Sequence, residues 1–261
     1  MHSERKVIAL EGRLRRCRNV ATLGVRTNFR DYSAEERSWI LAAHTIYYPS
    51  TFYADLFNAV GKNTFPSYHT YKCVQDKIKQ TALFELLGIP HPRTRVFYGK
   101  RRQAEIRKSF DFPFVAKIAR GSAMGRGVYL VRNEADLEAY CGRTVAAYIQ
   151  EYLPIDRDMR LVVIGRRIVH AYWRIASEGE FRSNVALGGR VSLEPVPEEA
   201  RSLALHTARA CGWNDVGIDV CRHQGSLYVL EANMKYGLHG FREAGLDYVR
   251  LMETMIEQNE I

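Results

Sequence analysis

The sequence lacks any arrangement of cysteines that would support a disulfide framework or a zinc cluster. Its cysteines are odd in number, and they show neither a C-x-x-C pair nor zinc-like spacing with histidine. They are Cys17, Cys73, Cys141, Cys211 and Cys221. We therefore expect reduced thiols whose role is mainly structural.

A long apolar run is also missing. No segment approaches the roughly 18 uncharged apolar residues that are needed to span a membrane. The apolar stretch in the first residues, "MHSERKVIALEGRLRRC", is too short for a signal peptide. The sequence therefore predicts no membrane partner and a cytoplasmic location.

Internal repeats and low-complexity linkers are absent, and the basic residues form no single patch. The 261 residues are 46% hydrophobic and 26% charged, which is enough to bury a sizeable core. The net charge of +9 favours an acidic partner, but the basic groups, such as "RLRRCR" and "KRRQAEIRK", are dispersed and lack aromatic interleaving. Nucleic-acid binding is therefore an alternative and not the expected main function.

Periodicity and end signals divide the chain into mixed helices and strands. The segment "SAEERSWILAAH" is typical of a helix that begins with a capping box, because Ser33 and Glu36 are three residues apart. One helix is predicted over "YKCVQDKIKQTALFELLG", ending at Gly88, and others over "PEEARSLALHTARACG" and "DYVRLMETMIEQ". The apolar stripe of the first of these three is Val74, Ile78, Ala82 and Leu86.

Most of the predicted strands are antiparallel. They include "FPFVAKIA", "VYLV" and "TVAAYIQEYL", and two further strands that join at Gly165 and Arg166. Antiparallel strands mixed with helices favour α+β lobes over a single doubly wound sheet.

The loop "GSAMGRG" joins two of these strands and has unusual glycine content. It contains no G-K-[ST], and no helix follows it, so it is neither a P-loop nor a Rossmann turn. Gly121, Gly125 and Gly127 can bring backbone N–H groups close to phosphate oxygens because no Cβ blocks the approach. Lys117 precedes the loop at an alternate position to Val115, where a buried lysine would need an anion. The alternative is a glycine-rich hairpin beside a solvated lysine.

A second predicted hairpin, "VGIDVCRHQGSLYVLEANM", carries two carboxylates and an amide. Glu231 and Asn233 share one face because they are two residues apart on a strand. A loop with an odd count, such as Gln224 to Ser226, would place Asp219 opposite Glu231, whereas an even loop would separate their faces. Carboxylates about 4 Å apart repel by roughly 4 kcal/mol at an effective dielectric near 20. A divalent cation such as Mg²⁺ or Mn²⁺ would resolve this conflict; an acidic edge whose faces do not meet is the alternative.

Arginines complete an ordered set of polar residues. Arg182 and Asn184 are two positions apart in "GEFRSN", and Arg174 lies near the end of the preceding strand. Guanidinium groups suit phosphate because they remain charged and bind bidentately. Each arginine alone could be a surface residue. Along the chain, however, Lys117 is followed by the glycine-rich flap "GSAMGRG", then by Glu151, the arginines and the carboxylates. This order indicates a nucleotide–metal site.

This set resembles the ATP-grasp superfamily, specifically the RimK-type carboxylate–amine ligases. The likeness covers about Tyr71 to Glu257 and rests on "DKIKQTALFELLGIPHPRT", "VAKIARGSAMGRGV", "IQEYL", "EGEFRSN", "GIDV" and "LEAN". It implies an α+β ATP-grasp fold, in which two α+β lobes clasp ATP, with a short N-terminal α/β domain. The expected parts are that domain at 1–70, a small lobe with the flap at 71–146 and a large lobe with the metal site at 147–261.

The resemblance also implies which residues contact ligands. Those expected to bind ATP are Lys117, Gly121, Ser122, Gly125, Gly127, Glu151, Tyr152, Leu153, Asp158, Arg182, Ser183 and Asn184. Those expected at the reaction centre are Arg174, Arg182 and Asn184, and those expected to hold Mg²⁺ or Mn²⁺, as two ions, are Asp219, Glu231 and Asn233. The link "EYLPIDRD" is shorter than is usual in the family, which leaves open whether Asp156 or Asp158 meets the ribose.

After the metal ligands the chain departs from the family. RimK-type enzymes commonly have asparagine, a small residue, serine, proline and glycine, where this chain has "NMKYG". Lys235, Tyr236 and His239 are therefore candidates to line a substrate pocket, with Lys235 facing an anionic group. The alternative is that Lys235 faces solvent and Tyr236 packs under the C-terminal helix.

These features together predict an ATP-dependent carboxylate–amine ligase. It would form an amide through an acylphosphate and release ADP and phosphate. Its partners would be ATP, a carboxylate donor and an amine acceptor, which is an amino acid, a peptide or a protein terminus; a homo-oligomer is left open. Two alternatives are a nucleotide-binding regulator without turnover and a basic nucleic-acid-binding module.

Overall fold

The computed structural model describes residues 7–120, 127–177, 179–180 and 188–261. Its strands form three sheets, one of which is parallel and two of which are antiparallel. Helices pack on each of them, so the predicted α+β class is confirmed.

The parallel sheet lies in the N-terminal part of the chain, in the order β2-β1-β3-β4. Its strands are β1 (Val7–Ala9), β2 (Val20–Thr22), β3 (Thr45–Tyr47) and β4 (Asn63–Phe65), and its helices are α1 (Ala34–Ala42) and α2 (Ser50–Ala59). The helix α1 begins as predicted, because the Ser33 hydroxyl accepts from the Glu36 N–H and the Glu36 carboxylate accepts from the Ser33 N–H. Ile8 and Ile46 fill the space between the strands and these helices.

The single helix predicted after this domain is instead two helices, α3 (Tyr68–Cys73) and α4 (Lys77–Leu87). The Asp76 carboxylate accepts from the N–H groups of Ile78 and Lys79, at 3.0 and 3.3 Å, and so starts a new helix within the predicted one. Gly88 ends α4 in the left-handed region, as predicted.

This break makes the predicted apolar stripe wrong at Ala82 and Leu86, whereas Val74 is buried and Ile78 is half-buried. Ala82 is exposed, and Leu86 is 81% exposed. The face that α4 buries contains Gln80, whose amide donates to the Val74 and Ala232 carbonyls and accepts from the Ala232 N–H. A glutamine on the buried face is stable there because its hydrogen bonds are satisfied.

The second sheet is antiparallel, in the order β5-β8-β6-β7. Its strands are β5 (Thr94–Phe97), β6 (Phe114–Lys117), β7 (Val128–Val131) and β8 (Ala147–Glu151), and its helices are α5 (Arg102–Ser109) and α6 (Glu134–Cys141). The expected boundary at 147 is wrong, because β8 pairs with β5 and β6 and buries Ile149 against Phe114 and Ile106. The sheet of the small lobe therefore extends to Glu151.

The third sheet is antiparallel, in the order β11-β10-β9-β12-β13. Its strands are β9 (Arg157–Ile164), β10 (Arg167–Ile175), β11 (Arg190–Ser192), β12 (Asp215–His223) and β13 (Ser226–Asn233), and the helices beside it are α7 (Glu198–Ala210), α8 (His239–Glu243) and α9 (Tyr248–Glu257). Leu161 and Val163 of β9 pack on the side of α7, whereas Val162 and Ile164 pack on the side of α9 and the N-terminal domain. Burial on both faces explains why residues 161–164 of this strand are continuously apolar.

The hairpin of β12 and β13 places Asp219 opposite Glu231, but without the odd loop that the sequence analysis made the condition for this pairing. Its turn contains two residues, Gln224 and Gly225, both with positive φ, which is the two-residue turn typical of hairpins. With this even turn alone, Asp219 would lie opposite Leu230. A β-bulge adds one residue at Leu230, so Asp219 lies opposite Glu231.

The structure also shows the state of the cysteines and the length of the apolar helices. All five cysteines are free thiols, and only Cys73 is less than fully buried. None of the helices within the described ranges is long and apolar enough to cross a membrane.

Gly217 of β12 should not tolerate a side chain. A Cβ there would lie 2.5 Å from Tyr236 Cβ and 2.9 Å from Arg160 Cδ. We expect Gly217→Ala to lower the free energy of unfolding by about 1–3 kcal/mol, the usual cost of overpacking, as measured by urea denaturation. Gly142→Ala is the control, because its Cβ would meet only Ala139 and Glu138 carbonyls at 3.6 and 3.7 Å. Equal stability of Gly217→Ala and the parent would contradict this packing.

Candidate active site

Two lysines from different elements lie close to Glu231. Lys117, at the end of β6, is 6% exposed; its burial lowers the pKa of its ammonium group and the Glu231 carboxylate opposes that shift. Lys77, the first residue of α4, has its Nζ 3.7 Å from Glu231 Oε2. The Lys77 N–H also donates to the Ala119 carbonyl at 3.2 Å, which fixes the start of α4 against the segment after β6. Positive charge from two elements therefore meets one carboxylate of the third sheet.

Lys77 was missed in the candidates taken from the sequence. Its signal is its position directly after Asp76, the residue that caps α4, in the segment "DKIKQT". A basic residue in the first turn of a helix opposes the helix dipole, which indicates a partner outside the helix.

The Glu231 carboxylate is held in its ionised form. Burial raises its pKa, but Lys77, Lys117 and a hydrogen bond from Asn233 Nδ2, at 3.0 Å, lower it to about 2. At neutral pH this carboxylate is therefore an anion that can accept hydrogen bonds from cationic groups.

Four buried charged residues form a compact set on one face of β9, β10 and β12. Asp158 and Arg160 are two apart on β9, and they lie opposite Arg174 and Asp219 respectively. Arg174 donates Nε and Nη2 to the two Asp158 oxygens, each at 2.7 Å. Arg160 donates Nε and Nη2 to Asp219, the second at 2.9 Å, and Arg174 Nη2 lies 2.9 Å from Asp219 Oδ2. Two carboxylates and two guanidinium groups thus compensate one another.

This set changes the roles expected for two residues. The Asp158 carboxylate is buried against Arg174, so the structure gives it a role inside the sheet and not the predicted contact with a ribose. Arg174 is likewise 5% exposed and acts on the site through Asp219. Asp156, the alternative ribose contact, is exposed beside Arg157, at 3.4 Å. Arg160 was missed in the sequence, although its spacing of two from Asp158 in an apolar strand was a usable signal.

The predicted metal ligands are placed on paired strands. Asp219 lies opposite Glu231, and Asn233 lies opposite Gly217 at the end of β13. Their donors are all oxygen atoms, which suits Mg²⁺ or Mn²⁺. No group of three or more histidine, cysteine, aspartate or glutamate residues that could hold a metal occurs in the described part of the chain. Two carboxylates and an amide therefore fit such an ion only with further oxygen donors, such as phosphates.

Three of the residues expected to bind ATP, Glu151, Tyr152 and Leu153, lie at and directly after the end of β8. Glu151 Oε1 accepts from the Arg93 N–H at 2.6 Å, and the Glu151 N–H donates to the Arg93 carbonyl at 2.9 Å. Tyr152 and Leu153 are half-buried in the link between the second and third sheets. This link therefore joins the two antiparallel sheets, and its contact with ATP stays a prediction.

Several predicted contacts lie outside the described residues and stay predictions. They are Gly121, Ser122, Gly125, Arg182, Ser183 and Asn184. Gly127 is described: it has a φ of +77°, and its carbonyl accepts from the Ile118 N–H at 2.7 Å.

The segment after β13 contains one wrong prediction. Tyr236 does not line a substrate pocket, because its side chain is buried with Tyr248 and Met252 of α9 and its hydroxyl donates to Asp215 Oδ1 at 2.7 Å. Lys235 is exposed, with Glu11 close enough to interact electrostatically. His239 is also exposed, and its Nε2 lies 3.6 Å from Glu243 Oε1. The alternative, in which Lys235 faces solvent and Tyr236 packs beside the C-terminal helix, matches these positions.

The chain is similar to proteins of one family. The family model of the RimK-like ATP-grasp domain matches residues 74–256. A protein of Alkalilimnicola ehrlichii named "Probable alpha-L-glutamate ligase" is 34% identical over 193 residues, which are 71% of this chain and 64% of that protein. The match thus spans less than two thirds of the length of this relative.

Solved structures share the fold. The RimK domain protein ATP-grasp from Sphaerobacter thermophilus has a TM-score of 0.71 at 18% identity, with 95% of this chain and 98% of that chain covered. The ATP-grasp ligase PsnB, complexed with precursor peptide PsnA2 and AMPPNP, has a TM-score of 0.70 at 15% identity, with 99% of both chains covered. At these identities the likeness concerns the fold alone.

Removing Arg174 should destabilise the protein, because it removes the guanidinium group that donates two hydrogen bonds to the buried Asp158 carboxylate. We expect Arg174→Met to lower the free energy of unfolding by about 3–5 kcal/mol, measured by urea denaturation. Arg167→Met, on the same strand, removes an exposed ion pair with Glu260 and should cost at most about 1 kcal/mol.

If Arg174→Met does not fold, the double variant Arg174→Met with Asp158→Leu provides a second measurement. It removes both charges of the pair, so it should be more stable than Arg174→Met alone. A double variant no more stable than the single variant would contradict the pairing.

Proposed function

Because the chain belongs to the RimK-like ATP-grasp domain family, we propose that it is an ATP-dependent ligase that joins a carboxylate to an amine. One observation carries the proposal. Lys77 and Lys117 come from different elements, yet both act on Glu231, which lies opposite Asp219 at the edge of the charge set. Cations on one side and oxygen donors on the other suit a nucleoside triphosphate.

The proposed reaction has two steps. An oxygen of the donor carboxylate attacks the γ-phosphorus, the bond to the β–γ bridging oxygen breaks, and ADP leaves with the electron pair. The nitrogen of the amine then attacks the acyl carbon, inorganic phosphate leaves, and the nitrogen loses a proton. The protein supplies no nucleophile in this scheme, so its residues contribute by positioning and by compensating charge.

The described residues have distinct roles in this scheme. Lys77 and Lys117 would bind phosphate oxygens, since burial leaves the Lys117 ammonium group in need of an anion. Arg160 and Arg174 orient Asp219. Asp219, Glu231 and Asn233 would hold Mg²⁺ or Mn²⁺, which ATP-grasp ligases generally use and which would supply positive charge to the phosphates.

Names of similar proteins support a choice of substrates. The relative from Alkalilimnicola ehrlichii is named for glutamate, and PsnB was solved with a peptide. We therefore propose glutamate as the amino acid and a peptide or protein terminus as the second substrate. We also propose a cytoplasmic location, because ATP is available there and the five thiols would remain reduced.

The function is tested by ADP release in the presence of Mg²⁺, glutamate and a panel of peptides. Release that depends on both substrates supports a ligase. Nucleotide binding without release under any pairing would favour a regulator, and binding of nucleic acid that ATP does not compete for would favour the basic module.

Lys77→Met should impair the use of ATP. We expect a loss of about 100-fold in kcat/KM for ATP, because a cation aimed at the phosphates is removed, together with weaker binding of a fluorescent ATP analogue. Lys79→Met is the matched control on the same helix, because Lys79 is exposed and its Nζ donates a hydrogen bond to the Lys72 carbonyl at 3.2 Å. Equal losses in the two variants, or none in either, would contradict the role of Lys77.

A further inference from the structure

A cavity of about 500 Å³ lies where the N-terminal domain meets the helix α9 and the segment after β13. Three arginines line it, Arg13, Arg15 and Arg16, all from the segment that follows β1. Leu238 and Val249 contribute apolar walls. The cavity thus combines guanidinium groups with aliphatic surface.

The arginines have unused capacity to donate. Arg15 and Arg16 are exposed, and neither makes an ion pair with any residue that the structure describes. Arg13 donates Nε to the Tyr248 hydroxyl at 2.9 Å, but its Nη2 is buried without a hydrogen-bond partner in the described ranges. The exposed guanidinium groups of Arg15 and Arg16 can therefore bind an added anion, whereas the Arg13 guanidinium already interacts electrostatically with the buried Asp215 carboxylate.

The acidic residues of the adjoining helix are already engaged. Asp247 Oδ1 accepts from the N–H groups of Val249 and Arg250, at 2.9 and 3.1 Å, and so caps α9. Glu253 Oε1 accepts from the Arg18 N–H at 2.6 Å. These carboxylates reduce the positive potential of the cavity, but they do not pair with its three arginine side chains.

The cavity adjoins the candidate active site through one short segment. Arg13 Nη1 donates to the Met234 carbonyl at 3.4 Å, and Arg160 Nη1 donates to the Tyr236 carbonyl at 3.0 Å. Gly237 and Leu238, which line the cavity, follow directly. The segment that leaves the metal-bearing strand therefore separates the cavity from the charge set around Asp219.

We propose that this cavity binds acidic side chains of a peptide substrate; the proposal rests on the function proposed above. Guanidinium groups bind carboxylates bidentately, and the apolar walls accommodate the methylene groups that carry them. A nucleic-acid strand lacks such aliphatic stems, so the walls favour a peptide. The net charge of +9 favours the approach of an acidic chain to the protein as a whole.

Binding is tested without ATP, with fluorescein-labelled hexaglutamate followed by anisotropy. The parent should bind it, and hexaglutamine should not bind. The double variant Arg15→Gln with Arg16→Gln should raise the Kd by at least about tenfold, because two charge-assisted contacts are lost. Arg18→Gln is the matched control, since Arg18 is exposed on the same segment and lies outside the cavity. Equal Kd values for the parent and the double variant would overturn the proposal.

Competition identifies the chemistry of the ligand. A single-stranded oligonucleotide with the same net charge as hexaglutamate, added in excess, should displace the labelled hexaglutamate poorly. Displacement by the oligonucleotide at lower concentration than by unlabelled hexaglutamate would overturn the assignment to a peptide. Both arginines are exposed, so the unfolding temperature of the double variant should match that of the parent.

Turnover separates this proposal from the proposed function. With an acidic peptide, the double variant should raise the KM for peptide and leave kcat and the KM for ATP unchanged. ADP release with an unchanged peptide KM would reject the cavity and retain the ligase. Arginine-dependent binding of hexaglutamate without ADP release from any substrate pair would reject the ligase and retain the cavity as a peptide site.

Discussion

The burial of four charges on one face of the third sheet is the constraint on which the site depends. Asp158, Arg174, Asp219 and Arg160 have no net charge together, but removing any one leaves an uncompensated charge in a region of low dielectric. The set therefore fixes the relative register of three strands. It also determines the direction of the Asp219 carboxylate, because two guanidinium groups approach it from neighbouring strands. A ligand at Asp219 meets a carboxylate whose orientation was fixed by folding.

The same constraint extends from the sheet to the N-terminal domain. Arg160 also holds the Tyr236 carbonyl, and the Tyr236 hydroxyl donates to the buried Asp215, which accepts a second hydrogen bond from Tyr48 at 2.8 Å. Burial raises the pKa of Asp215, whereas Arg13 and the two tyrosine hydroxyls lower it. Arg13 packs over the Tyr236 ring, with 4.6 Å from its Cζ to the ring centroid. The segment after β13 is thus held from both sides, which gives the N-terminal domain a direct physical connection to the candidate metal ligands.

The sequence predicted the elements well where periodicity and end signals were local. The capping box of α1 and the end of α4 at Gly88 depend on residues within one turn of the helix. The pairing of Asp219 with Glu231 was correct for a different reason, because the even turn at Gln224 and Gly225 is offset by the bulge at Leu230, and a bulge has no marker in the alternation of residues. Tyr236 was wrongly assigned because its partner Asp215 lies on a different strand and becomes a partner only after folding. Contacts between distant segments decide such positions.

Lys117 lies in the second sheet and Glu231 and Asn233 lie in the third, so a cation and oxygen donors from two sheets meet at the candidate site. Lys77 Nζ is 3.7 Å from Glu231 Oε2, too far for a strong hydrogen bond, so the attraction between them is mainly electrostatic. A phosphate that approached the lysines alone would be repelled by Glu231 at short range. A divalent cation bound with the phosphate removes that repulsion, because Glu231 and Asn233 then face a positive ion. Nucleotide and metal would therefore stabilise each other at the candidate site, and neither half of it would be electrostatically complete without the other.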